Sequence, residues 1–165
     1  MRVLRPSTIL LLLAVLLGGC AIFTIEQRTV EGPTADDIWK TNFRAANGRS
    51  PRFEESRTFE DELDRRVRAY LARNSEVAYT PRAGQLRFWR QVTVGMTKEE
   101  VSLLLGKPQE TTDDPARMEL LARKFWPMVK PKAKEAWLYP PGWTLYFDGN
   151  TLTDITQYHR AFLHP

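Results

Sequence analysis

The chain of 165 residues contains one cysteine, Cys20, and two histidines, His159 and His164. A single thiol rules out an intrachain disulfide, so the fold must be held by its core alone. It also rules out a cysteine-rich metal site. The two histidines have only Asp154 near them in sequence and read as solvated tail residues. Gly-x-Ser-x-Gly, P-loop and dinucleotide fingerprints are all missing. Asp113 and Asp114 are adjacent carboxylates, but Asp114 before Pro115 is more simply a helix cap. Without a nucleophile–base arrangement the chain is expected not to be an enzyme, and no cofactor or metal is expected. Long apolar runs are also scarce. The best, Ile9 to Leu17, is too short to span a bilayer comfortably.

That run has a meaning of its own. Arg2 and Arg5 precede it, and Leu17-Gly18-Gly19-Cys20 ends it. Charge, then apolar residues, then small residues is the pattern of a secretory signal. The four closing residues resemble the lipobox of bacterial lipoproteins. The resemblance implies cleavage before Cys20, diacylation of its thiol and acylation of its new amino group with palmitate-type chains. At about 0.8 kcal/mol per buried CH₂, three chains hold a small domain on a membrane almost permanently. Ala21 is not Asp, which by the same resemblance implies the periplasmic face of the outer membrane. Two other readings are an ordinary secretory signal with a chance cysteine and a transmembrane anchor. Gly-Gly-Cys departs from the Ala-x-Ala pattern of the first. Glu26, Gln27 and Arg28 follow too soon for the second.

Of the 24 Lys and Arg, Arg2 and Arg5 precede Cys20, leaving 22 against 20 acidic residues and a net charge of +2. The cations are mostly interleaved with acids, as on a solvated surface. This balance and the extracytoplasmic address speak against nucleic acid as a partner. Five Trp, eight Phe and five Tyr are enough for one real core. The expected organisation is a signal peptide over 1–19, a lipidated Cys20 with a tether over 20–56, and a domain over 57–165.

Within the tether, Thr34 caps a short helix that stops at Asn47-Gly48, with Ile38, Trp39 and Phe43 on one face. Residues 49–57 read as an exposed linker. Thr58 to Arg73 is a helix with an acidic start, a basic later half and the stripe Phe59, Leu63, Val67, Tyr70, Leu71. A second helix is expected from Pro81 to about Gln91, with Leu86, Trp89 and Phe88 on its buried side. Thr97 and Glu100 form a capping box, Val101, Leu104 and Leu105 an apolar face, and Gly106 with Pro108 a stop. Asp114-Pro115 opens another helix to about Trp126, with Met118, Leu121, Ala122 and Phe125 on one side. Strands follow over 135–139, 143–148 and 151–158, with Asp148-Gly149-Asn150 as the hairpin turn. Ile155 comes three residues after Leu152, which points to a bulge or register change.

The order Gly95-Met96-Thr97, Val101, Leu104-Leu105-Gly106, Pro108, then Trp137 and Tyr139, then Leu145, Phe147 and Leu152, resembles the SmpA/OmlA (BamE-like) domain of outer-membrane lipoproteins. The match covers residues 92–158. It implies an α+β fold in which two helices pack on a three-stranded antiparallel sheet, the first strand following Pro108. Here extra N-terminal helices precede that unit, and a helix over 114–131 is inserted between strands 1 and 2. The chain also departs from BamE itself in having Leu86 to Gln91 where that protein carries a Gln-Gly-Asn element used in lipid and partner contacts.

The insert ends in Arg123 to Lys134, a basic stretch with interleaved aromatics. Phe125 and Trp126 either close the core, or form a partner-binding patch with Lys124 and Lys130, or touch anionic head groups. The leading expectation is a lipid-anchored periplasmic protein, held to the membrane by acyl chains on Cys20, that binds another envelope protein. It would be a scaffold and a possible accessory of outer-membrane protein assembly. The alternatives are a lipid- or envelope-ligand-binding lipoprotein and an inhibitor of a periplasmic enzyme.

Overall fold

A computed structural model describes residues 22–162. The lipobox with Cys20, and His164, lie outside the described residues. Glu26–His159 form one compact unit, and the described residues on either side, 22–25 and 160–162, fall outside it.

The main sheet has five antiparallel strands: β1 (Ile22–Thr29), β4 (Glu110–Thr112), β5 (Glu135–Tyr139), β6 (Trp143–Asp148) and β7 (Thr151–Phe162). Their order is β1-β7-β6-β5-β4, and a separate ribbon pairs β2 (Glu31–Thr34) with β3 (Gln91–Thr93). The helices are α1 (Ala35–Asn47), α2 (Phe53–Arg73), the single turns α3 (Ser75–Ala78) and α4 (Pro81–Gly84), α5 (Lys98–Leu105), α6 (Pro115–Ala122) and α7 (Trp126–Val129). A π-helical turn covers Gln85–Trp89 and a 3₁₀ turn covers Arg123–Phe125.

Two helices on a three-stranded sheet is therefore not the architecture. The fold is α+β, but the sheet has five strands, a second sheet exists, and helices lie on both sheet faces. The chief reason is β1. Its mixed polarity suggests a tether, yet its polar side chains have buried partners far along the chain. Arg28 meets Asp154 and Gln27 meets Gln157, both on β7. Residues 22–47, expected as a tether with one helix, supply β1, β2 and α1.

Strand alternation divides the side chains between two cores. Leu145, Phe147, Leu152 and Ile155 join Ile38, Leu63, Leu86, Met96, Val101 and Leu104 on one face. Tyr146 and Ala136, cross-strand partners, meet Met118, Ala122, Trp126 and Val129 on the other. The 114–131 insert is thus the layer that covers the second face.

Local signals act where the sequence places them. Thr34 accepts the Asp37 N–H at 3.1 Å, and Gly48 closes α1 at φ +64°. The Thr97 hydroxyl accepts the Glu100 N–H at 3.2 Å, and the Glu100 carboxylate accepts the Thr97 N–H at 2.8 Å. This capping box is seated on the hairpin: Gly95 N–H donates to the Leu152 carbonyl and Leu152 N–H donates to the Met96 carbonyl. Between β6 and β7 the register shifts after Tyr146, so Phe147 faces Leu152 while Tyr146 faces Asp154. The expected bulge is therefore at Thr153, whose hydroxyl donates to the Tyr146 carbonyl at 3.1 Å.

Two helix starts differ from expectation. α2 begins at Phe53, because the Glu55 carboxylate accepts the Arg52 N–H at 2.7 Å and places the cap at Arg52, six residues before Thr58. The helix expected from Pro81 breaks into α4 and the π turn, with consequences for Phe88 and Trp89.

Candidate interaction surface

The π turn is built around Arg90. Its N–H donates to the Gln85 carbonyl at 2.8 Å, one residue further back than an α-helical bond. Arg90 then takes a left-handed conformation, φ +49°. For a residue with a side chain this costs on the order of 1–3 kcal/mol and persists only where the surroundings enforce it. They do so from three directions. The Arg90 carbonyl accepts the Ala35 N–H at 2.8 Å. Its guanidinium donates to Asp64 on α2 at 2.6 Å and to the Arg87 carbonyl at 3.3 Å.

The extra residue in the turn rotates the side chains away from helical spacing. Leu86 is fully buried and pins the turn to the first core, but Phe88 and Trp89 stand out into solvent, 80% and 72% exposed. The expected buried side of this segment is thus correct for Leu86 and wrong for Phe88 and Trp89. Open grooves lie on both sides of the pair. One of about 370 Å³ is lined by Asp64, Val67, Arg68, Arg87, Phe88 and Arg90. The other, about 210 Å³, is lined by Glu31, Gln85, Trp89, Gln91 and Thr93. Among the described residues, Arg68 and Arg87 form no ion pair. Adjacent large aromatics beside unpaired arginines, on a rigid turn, are the residue types that anchor protein interfaces.

The four residues singled out in the insert do not form one patch. Trp126 is 7% exposed and packs in the second core, with Phe125 partly buried against it. Lys124 stays at the surface, 5.1 Å from the Phe125 ring centre and 3.7 Å from the Glu26 carboxylate. Lys130 is exposed. Asp114 caps α6 by accepting the Ala116 N–H, and His159 is partly buried at the end of the main unit.

Ionisable groups elsewhere serve the frame. Burial pushes the Tyr146 phenol up to about 12 and raises Tyr139 as well. Burial also pushes the Glu135 carboxyl up, but hydrogen bonds from Lys98 and Trp137 outweigh it and leave the group below its usual range. Lys98 lies 5.5 Å from the Phe147 ring centre, so this cluster joins α5 to the sheet. The guanidinium of Arg49 holds Glu55 down at about 2. Every one of these shifts moves its group away from neutrality, opposite to what acid–base catalysis needs.

Among the described residues no helix is long and apolar enough to cross a membrane. Comparisons with family models, with curated proteins and with solved structures give no match to this chain.

Proposed function

We propose that this chain is a non-enzymatic, lipid-anchored envelope protein that binds another protein through the Phe88–Trp89 projection. The observation that carries the reading is the exposure of two adjacent aromatics on a turn whose strained residue, Arg90, is held from three sides. The backbone that presents them is already held in place, so less order is lost on binding than from a free loop. The address comes from Leu17-Gly18-Gly19-Cys20, which supports acylation of Cys20 and a place on the periplasmic face of the outer membrane. Anchoring confines the domain to a surface and raises its effective concentration beside membrane-bound partners. The resemblance over residues 92–158 makes the machinery that assembles outer-membrane β-barrels the first partner to test.

The test places a photo-crosslinking amino acid at Trp89 in the full chain, in cells, and purifies the tagged protein from solubilised outer membranes. An adduct with a barrel-assembly component at Trp89, absent when the probe sits at exposed Lys107, is the expected result. Equal adducts at both positions, or none at Trp89, count against the reading. Intact mass of the same sample reports the anchor: a chain beginning at Cys20 and carrying acyl chains is expected.

A further inference from the structure

The second sheet face carries a cluster that the aromatic projection does not use. Arg123 to Lys134 contains five cations and no acid. Trp126, Val129 and Ala133 turn inward and are buried, while Lys124, Met128, Lys130, Lys132 and Lys134 remain exposed. Among the described residues, Lys130, Lys132 and Lys134 form no ion pair. The segment thus fills a core with one side and offers unneutralised ammonium groups on the other.

The start of the main unit is fastened to this same segment. Arg123 Nε donates to the Glu26 carboxylate at 3.4 Å, and Lys124 pairs with its second oxygen. Arg28 lies 4.0 Å from the Met128 sulfur. Arg123 itself is held at φ +53°, with its guanidinium 4.0 Å from the Tyr158 ring centre. Cys20 precedes Glu26 by six residues, so even a fully extended chain separates them by only about 20 Å. The leash is therefore short, and its folded end sits beside the basic segment.

We infer that Lys124, Lys130, Lys132 and Lys134 form a second membrane contact that takes anionic phospholipid head groups. The inference rests on reading Cys20 as the lipid anchor. An acylated Cys20 lies at the leaflet surface, and a leash of at most about 20 Å lets the segment settle within the Debye length, about 8 Å at physiological salt, over which an anionic surface attracts cations. The leash brings them there whether or not a protein partner is present, which favours lipid over an acidic protein. One anchor plus a polybasic patch is a recurrent two-signal arrangement, and each cation near an anionic surface strengthens attraction about fivefold. The insert faces the leaflet in this arrangement. The helix layer that carries Phe88 and Trp89, on the opposite sheet face, is turned toward the periplasm.

The experiment uses the full acylated protein with Lys132→Cys. Acylation occupies the Cys20 thiol, so the new thiol alone takes a fluorophore. The protein is reconstituted in phosphatidylcholine vesicles with or without about 30 mol% phosphatidylglycerol, and quenching by a head-group nitroxide lipid is read. Quenching is expected to rise about threefold or more with phosphatidylglycerol and to fall back in about 0.5 M salt. Lys130→Glu with Lys134→Glu is expected to remove the rise while the protein stays on the vesicles. A fluorophore at Tyr79→Cys, on the helix side, is expected to show no rise. Acylated protein whose Lys132 probe ignores phosphatidylglycerol, or whose Tyr79 probe responds equally, overturns the contact and leaves the anchor standing. An intact mass without acyl chains overturns the anchor and the contact together.

Discussion

Arg28 and Asp154 are 126 residues apart in sequence and locked together in space. Nε and Nη2 of Arg28 donate to the two carboxylate oxygens at 2.9 and 2.8 Å. The Asp154 side chain is only 7% exposed, whereas Arg28 is half-exposed. The pair adds a side-chain clamp to the β1–β7 ladder, beside the Gln27–Gln157 hydrogen bond, and it raises the already high pKa of the Arg28 guanidinium.

Removing Arg28 leaves a buried carboxylate with only the Ile155 N–H to satisfy it. Hydrogen bonds to charged groups are worth about 1.5–3 kcal/mol, so Arg28→Ala is expected to destabilise the protein by about 2 kcal/mol. Urea unfolding measures the loss. Amide exchange should quicken first over residues 26–29. An unchanged midpoint with unchanged exchange would show that the Arg28–Asp154 pair adds nothing to the stability of β1.

The insert should behave as core at Trp126 and as surface at Leu120. Trp126→Ala is expected to cost about 3–5 kcal/mol by emptying the space between α7 and Tyr146. Leu120 is 70% exposed, and Leu120→Ala should stay within about 0.5 kcal/mol of the parent. Thermal unfolding of the two variants decides between a structural layer and a decorative loop.

The aromatic projection should show the opposite pattern. Phe88→Ala with Trp89→Ala is expected to leave stability within about 1 kcal/mol of the parent. Binding of the crosslinked partner should fall at least about tenfold, as truncation of an aromatic hot spot does. Quantitative pull-down beside a melting curve separates the two effects. A large drop in melting temperature would make the pair structural.

Acid should remove one identifiable contribution. The Glu55 carboxyl is held at about 2, against an ordinary 4.5, by hydrogen bonds from Arg49 and then from the Arg52 backbone. A pKa depressed by folding adds stability above the unfolded value, and that stability is lost as pH falls toward the folded value. The gap between the parent and Glu55→Gln should therefore be constant above about pH 5 and close between about pH 4.5 and pH 2. Because both side chains of the pair reach solvent, added salt should narrow the gap at neutral pH. Denaturation across that range, at two salt concentrations, gives the answer.

How far these features can be read from the chain depends on their range. Thr97 and Glu100 cap α5 because both act within one helical turn, and no distant residue can undo that. Gly149-Asn150 closes the β6–β7 hairpin for the same reason, and the Leu152-to-Ile155 spacing already contains the bulge at Thr153. The start of α2 has two local signals. Thr58 looks like a cap, but Glu55 reaches the Arg52 N–H and starts the helix earlier. Both signals are local, and only their competition in three dimensions selects one.

The two tryptophans show where local reasoning stops. Trp89 lies three residues after a buried leucine and Trp126 lies among lysines, yet Trp89 is exposed and Trp126 is buried. The caps, the hairpin, the strand alternation, the single thiol and the lipobox-like start can all be read from the chain, since each is written within a few adjacent residues. It takes the folded chain to show that β1 joins the sheet, that the insert covers its second face, and that the π turn at Arg90 points Phe88 and Trp89 outward. Each of these depends on partners such as Asp154, Tyr146 and Asp64, which the chain brings close only when it folds.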